Sequence, residues 1–362
     1  MRRGIEAILR SAVRANELTL DASARNAVKR AVWSSRFHLA AKQLARGEVA
    51  ILFFHKVLGR SMGLWGEPIH SERILARQLE LLTRHYEVVR LSDVVRALKG
   101  ERPFPNRAVA LTFDDGFRNN LLNAAPVLKR FGVPATLFVT TGFIGTSGWM
   151  WGYELEEMIF RYSPTRFAAV SRDPNVAALC ERSPSAYTAV LACVEYLKRL
   201  SPERRAPILH RLRSELPVEQ NEGNRFLTWD EVRELPGYGF ELGAHTVTHP
   251  ILTQLPEHKV EWEMLQSRGM LERETGVRPT LFSYPNGDTN AAVSAVAMRH
   301  FEAAVGTCHR TCDPDTPLFD LPRIYAPPDE VELEYVLTRL FLASPARRVK
   351  RLRRDLMRKM TS

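Results

Sequence analysis

The apolar positions of this chain fall into two kinds of run that alternate along it. Short, unbroken apolar stretches occur at Ile51-Leu52-Phe53-Phe54, Ala108 to Phe113, Ala135 to Val139 and Phe240 to Ala244. Uniformly apolar runs of this length predict strands buried on both faces. Between them lie longer stretches with apolar residues three and four apart, such as Leu75, Leu79 and Leu82. These predict helices over Ile74 to Tyr86, from an N-cap at Ser92 through Leu98, and over Asn123 to Phe131, stopping near Gly132. Later helices are predicted over Thr228 to Leu235, Lys259 to Thr275 and Ala291 to His300. Glu87 to Leu91, Leu281 to Ser283, Ala303 to Val305 and Leu321 to Ile324 read as short strands. Strands alternating with helices predict a mainly parallel sheet, and their repetition suggests closure into a barrel.

Three segments depart from this alternation. Residues 1–47 read as basic helical sequence, with Ile5, Ile8, Leu9, Ala12 and Val13 on one face. Residues of about 149–225 read as a mostly helical insertion, with proline breaks at Pro164, Pro174, Pro184, Pro202, Pro207 and Pro217. Residues 331–362 end in a basic amphipathic helix, Pro345 to Met360, with Val349, Leu352, Leu356 and Met360 along one face. The barrel itself is expected over 48–330.

Charge follows the same division. The net charge is +10, yet residues 1–60 hold 12 Lys and Arg against 4 acids, and residues 345–362 hold 8 against 1. The two ends therefore account for +15, and the body between them is net −5. An acidic body argues against a nucleic-acid groove. Basic amphipathic ends suit peripheral contact with an anionic membrane surface. The N-terminus has no apolar core of a signal peptide, and the longest apolar run, Val49 to His55, is too short to span a bilayer. The expected location is the cytoplasm, at most peripheral to the inner membrane face. The four cysteines, Cys180, Cys193, Cys308 and Cys312, then read as free thiols.

The chemistry is carried by two short runs, Leu111-Thr112-Phe113-Asp114-Asp115-Gly116 and Gly243-Ala244-His245-Thr246-Val247-Thr248-His249-Pro250. At a strand end, neighbouring side chains point in different directions, so one aspartate can face a metal and the other a water. Two histidines four residues apart can share one ion, here on a strand-to-helix loop. One Asp and two His make a three-ligand set with an open position, leaving the second Asp as general base. The pattern points to a metal-dependent hydrolase. The N/N/O donor set suits zinc, and cobalt, nickel or manganese could occupy it.

Both runs resemble the metal motifs of the NodB-homology polysaccharide deacetylases, carbohydrate esterase family four. The resemblance extends over about 48–330 and includes ILFFHKV, PVLKRFGVPATLFV, TWDEVREL and FSYPNGD. It implies a distorted (β/α) barrel that hydrolyses N-acetyl or O-acetyl groups on glycans. By this resemblance Asp115, His245 and His249 hold the metal, and Asp114 takes a proton from the attacking water. A backbone donor for the developing oxyanion is expected in the loop Tyr284-Pro285-Asn286-Gly287, with Asn286 as the candidate and Tyr284 beside the substrate.

The chain also departs from the family pattern. Ser283 stands where the arginine that orients the base is usual, so Arg323 is expected to replace it. The late leucine–histidine motif that supplies the general acid is not found, and the surroundings of His309 do not match it. The early strand Ile51 to His55 instead resembles that of the circularly permuted poly-N-acetylglucosamine deacetylase subgroup, which assigns the acid to His55. Trp149 and Trp151, at the start of the insertion, are candidates for stacking on sugar. The expected substrate is an N-acetylglucosamine-containing polysaccharide, oligosaccharide or lipid-linked glycan. An O-acetyl esterase and a catalytically silent glycan-binding protein are the alternatives.

Overall fold

The computed structural model describes residues 47–59 and 70–341 of the chain. The basic helices expected in 1–46 and 345–360 lie outside these residues.

Eight strands form one parallel sheet. They are β1 (Val49–Phe54), β2 (Glu87–Val89), β3 (Ala108–Phe113), β4 (Ala135–Val139), β5 (Phe240–Ala244), β6 (Leu281–Ser283), β7 (Ala303–Val305) and β8 (Ile324–Tyr325). Their order is β7-β6-β5-β4-β3-β1-β8, with β2 paired to the N-terminal half of β3. Just before β8, Leu321 exchanges backbone hydrogen bonds with Ala304 and Gly306, while Ile324 and Tyr325 pair with Leu52 and Phe53 of β1. The segment around Arg323 thus touches both ends of the sheet and closes the barrel.

The buried strands owe their uniform hydrophobicity to cover on both faces. Ala50, Leu52 and Phe54 of β1, and Val109, Leu111 and Phe113 of β3, pack outward against the helices. Val49, Ile51, Ala108 and Ala110 belong to a separate inner cluster with Phe138, Leu281, Val305 and Leu321. Strand alternation therefore sorts each strand into a helix-facing row and a barrel-facing row.

The helices α1 (Glu72–His85) and α3 (Ala125–Phe131), the latter preceded by a wide turn over Asn120–Ala124, pack on the barrel's outer face, whereas Leu91, Val94 and Val95 of α2 (Leu91–Leu98) join the inner cluster. Ser71 caps α1 by accepting from the Ile74 N–H. Ser92 does not cap α2 as expected. That helix begins at Leu91, and the Ser92 hydroxyl instead donates to the Glu241 carboxylate on β5.

The insertion consists of α4 (Trp151–Tyr162), α5 (Pro164–Ser171), α6 (Pro174–Arg182), α7 (Ala186–Arg199) and α8 (Pro202–Glu215). It has its own core, built on Leu155, Ile159, Phe167, Cys193, Leu197 and Leu212. Pro164, Pro174 and Pro202 start helices rather than end them, as suits a residue with no N–H to lose in the first turn. Pro207 lies inside α8, contrary to the expected break. After the insertion come α9 (Trp229–Glu234), α10 (Glu257–Thr275) and α11 (Ala291–His300). Residues 330–341 are helical and return to the outer core, where Phe341 stacks on Tyr86 at 5.6 Å.

Candidate active site

The barrel-facing rows deliver the site. On β3 the row runs Ala108, Ala110, Thr112 and, one step past the strand, Asp114. On β5 it runs Glu241, Gly243 and His245. Gly243 is required there because Phe138 fills the barrel beside it, and a Cβ at 243 would lie 2.4 Å from that ring. Asp114 is tied to β1 by its N–H to the Phe54 carbonyl at 3.0 Å, and the His245 N–H donates to the Val139 carbonyl at 3.0 Å.

Beyond the strand ends the backbone takes unusual conformations. Asp115, Thr246, His249 and Asn286 all have φ between 56° and 77°. For Thr246, a β-branched residue, this is sterically costly, and such residues collect at functional sites. The loop that carries the histidines is held from outside by Glu263 on α10. Its carboxylate accepts from the Val247 N–H at 2.7 Å, the Thr248 N–H at 3.0 Å and the Thr248 hydroxyl at 2.5 Å. Glu263 was not singled out by the sequence. The available signal was its place beside the apolar positions Val260, Met264 and Leu271, where a solvated acid does not belong.

Asp115, His245 and His249 come together. Asp115 Oδ1 lies 3.7 Å from His245 Nε2 and 3.6 Å from His249 Nε2. The Nδ1 of His245 is engaged with the Ser283 carbonyl at 2.7 Å, which leaves Nε2 to face the cluster. Asp115 Oδ1 is buried without a hydrogen-bond partner. An orphaned carboxylate oxygen facing two imidazole nitrogens fits a divalent cation, which would satisfy all three. Burial pushes both imidazoles down to about 4, so both are neutral donors at neutral pH.

Asp114 faces Arg323, which is 1% exposed. The two make a bidentate pair, with both N···O distances 2.7 Å. The guanidinium also donates to Gly306 O, Thr112 Oγ1 and Ser283 Oγ, and it lies over Phe53 at 4.9 Å. Burial works to raise the Asp114 carboxyl, but Arg323, with His245 beside it, outweighs this and holds it at about 2. Arg323 therefore pairs with the carboxylate that the sequence assigned it to orient, and the Ser283 hydroxyl accepts from the same guanidinium.

These residues sit in a cavity of about 840 Å³ between the barrel end and the inserted helices. His55, Asn286, Trp149 and Trp151 line it, and so does His309. His55 follows Phe54, whose carbonyl accepts from the Asp114 N–H, and so lines the cavity next to that carboxylate's strand end. Trp151 carries Arg205 over its ring at 4.9 Å. Tyr284 is not with them. It has no exposed surface, packs on Phe282 at 5.4 Å and donates its hydroxyl to the Phe319 carbonyl. The expectation that it touches substrate is corrected on this ground. The run FSYPNGD places it one step beyond Ser283, on the side of the sheet away from the cavity. Tyr153, which the sequence reading passed over, also lines the cavity and donates to Asp115 Oδ2 at 2.9 Å. Burial raises its phenol well above the ordinary value, so it remains a donor.

A barrel whose strand ends present this carboxylate pair and histidine pair defines a class, and comparison with known proteins agrees. The family model "Polysaccharide deacetylase" matches residues 101–301, more than half of the chain, which belongs to that family. The Bacillus subtilis protein YxkH is 30% identical over 112 residues, 31% of this chain and 38% of that protein. The poly-beta-1,6-N-acetyl-D-glucosamine N-deacetylase of Escherichia coli is 38% identical over 50 residues, 14% of this chain and 7% of that protein. The chain thus spans well under two thirds of either curated relative. Among solved structures, the Streptococcus pyogenes deacetylase PplD, in complex with acetate, superposes with a TM-score of 0.53 at 20% identity, covering 81% of this chain and 99% of that one. IcaB from Ammonifex degensii superposes with a TM-score of 0.53 at 18% identity, covering 81% and 97%. At these identities the likeness is one of fold.

Proposed function

We propose that this protein is a metal-dependent hydrolase that removes N-acetyl groups from glycans containing N-acetylglucosamine-type sugars. The observation that carries this reading is the juxtaposition of two units. One is the orphaned Asp115 oxygen between His245 and His249, and the other is the Asp114–Arg323 pair beside it. The E. coli relative, named as an N-deacetylase of poly-beta-1,6-N-acetyl-D-glucosamine, supports an amide over an ester substrate.

In this reading Asp115, His245 and His249 hold the ion. A divalent metal there, zinc by donor type, would polarise the acetyl carbonyl and acidify the attacking water. Asp114 accepts the proton of that water. Its low basicity means that it is ionised in the resting enzyme, and Arg323 fixes both of its oxygens in the plane needed to receive the proton. Asn286, on the cavity wall, offers the backbone donor for the developing oxyanion. His55, at the end of β1 and on the cavity wall, gives a proton to the departing amine. Trp149 and Trp151 supply aromatic faces for neighbouring sugars.

The test measures acetate and free amine together. The protein is incubated with N-acetylglucosamine oligomers, with and without chelator, and then with zinc or cobalt restored. Equal release of both products, lost on chelation and recovered with metal, is the expected result. Acetate without new amine, on an O-acetylated glycan, would move the protein to the esterase alternative. Metal uptake without release on a broad panel of glycans would favour a silent binding protein.

A further inference from the structure

The inserted helices reach the candidate metal cluster through a hydrogen bond. Tyr153, in the first turn of α4, donates its hydroxyl to Asp115 Oδ2 at 2.9 Å. The other oxygen, Oδ1, has no hydrogen-bond partner and faces Nε2 of both histidines. The two oxygens of one carboxylate are thus assigned different tasks. An untied carboxylate turns about its Cβ–Cγ bond and can offer an ion either oxygen or both. With Oδ2 tied, only Oδ1 is presented.

The phenol is itself held. Its ring meets Phe117 edge-on at 4.9 Å, and Lys56 Nζ stands 4.0 Å from the ring centroid. Lys56 in turn donates to Asn224 at 2.5 Å and lies 3.8 Å from Glu156. Phe117 stacks on Phe226, which stacks on Phe143. Tyr153 is therefore fixed by the small aromatic cluster that joins the insertion to the barrel.

We propose that Tyr153 is a positioning residue of the metal centre, contributed by the insertion, which sets Asp115 to bind an ion through Oδ1 alone. The insertion is then part of the metal site as well as a wall of the cavity. This rests on the reading of Asp115, His245 and His249 as ligands. Groups that hydrogen-bond a ligand from behind tune affinity by about 10- to 100-fold.

The experiment compares Tyr153→Phe with wild type and with Tyr162→Phe. Tyr162 lies on the same helix, and its hydroxyl donates to the Pro217 carbonyl within the insertion, away from Asp115. Zinc affinity is read by competition with a chromogenic chelator, and coordination by the visible spectrum of the cobalt-loaded protein. Both need no substrate. The expected result is a loss of zinc affinity of at least about tenfold and a changed cobalt spectrum in Tyr153→Phe alone. A Tyr153→Phe protein with unchanged affinity and spectrum would overturn the proposal. So would an equal loss in Tyr162→Phe, which would assign the effect to general loosening of the helices. A wild type that takes up no zinc or cobalt would overturn the ligand reading, and this inference with it, whereas a binding wild type keeps the two failures separate. Melting of the metal-free variants within a few degrees of wild type identifies them as folded.

Discussion

At the scale of single residues, the Asp114–Arg323 pair dominates the site. Both members are buried, so each depends on the other for its charge to be tolerated. Replacing Arg323 with Met leaves Asp114 charged and unpaired. Urea unfolding should show a loss of about 3–5 kcal/mol. The double variant with Asp114→Asn should recover a large part of it, because the stranded charge is gone. Asp114→Asn alone should lower kcat by at least about 100-fold while zinc uptake persists. Retained turnover in that variant would remove Asp114 from its role as base. His70 adds a pH dependence of stability. It is buried, and burial, with His55 nearby, lowers it from 6.5 to about 4 in the folded protein. The unfolded chain takes up this proton first as pH falls. Stability from His70 is therefore complete above pH 6.5 and lost progressively down to about pH 4, by about 3 kcal/mol in all. The difference between wild type and His70→Leu in unfolding free energy, followed across that range, should show this slope, and parallel curves would contradict it.

At the scale of elements, the sequence was most legible where a single periodicity decided the outcome. The runs around β1, β3, β4 and β5 are apolar on both faces because the sheet is covered on both, and the ends of β3 and β5 deliver Asp114 and His245. The pairing of Arg323 with Asp114 was legible by exclusion, since Ser283 offers that carboxylate no charge. What could not be read were contacts made across the fold. Ser92 looked like a cap, but its hydroxyl serves Glu241 on a strand far along the chain. Tyr284 looked available to substrate because it sits in a site loop, yet its face of the sheet turns it into the core. Tyr153 and Glu263 lie on helices that read as ordinary amphipathic segments, and only the docking of those helices brings them to Asp115 and to the histidine loop. Glu263 gives the test at this scale. Glu263→Ala strands the Val247 and Thr248 N–H groups, at a cost on the order of 3 kcal/mol. It should also weaken zinc binding by about tenfold, since His249 loses its fixed loop. Unfolding and zinc competition on the same preparation would check both, and unchanged zinc affinity would separate the loop's stability from the site.

At the scale of the whole molecule, the cavity lies between two units with separate cores, a barrel that holds Asp114, Asp115, His245 and His249 and a helical unit whose start supplies Trp149 and Trp151. Trp151→Ala should therefore raise KM for oligomers by about 10-fold, the scale of an aromatic contact of about 1 kcal/mol or slightly more, and leave kcat for a single sugar nearly unchanged. Equal losses on monomer and oligomer would place Trp151 in support of the fold instead. The same division bears on how the chain assembles. Strands β4 and β5 are neighbours in the sheet, yet residues 140–239 lie between them. Pairing those strands closes one of the longest loops in the chain, and such closures are slow because their entropy is spent before any contact rewards it. Helices α4 to α8 contact mainly one another, so the inserted unit can become compact on its own and bring the two strand ends near each other. What looks in the finished structure like an ornament on the barrel would then act, during refolding, as the tether that shortens the search for its central seam.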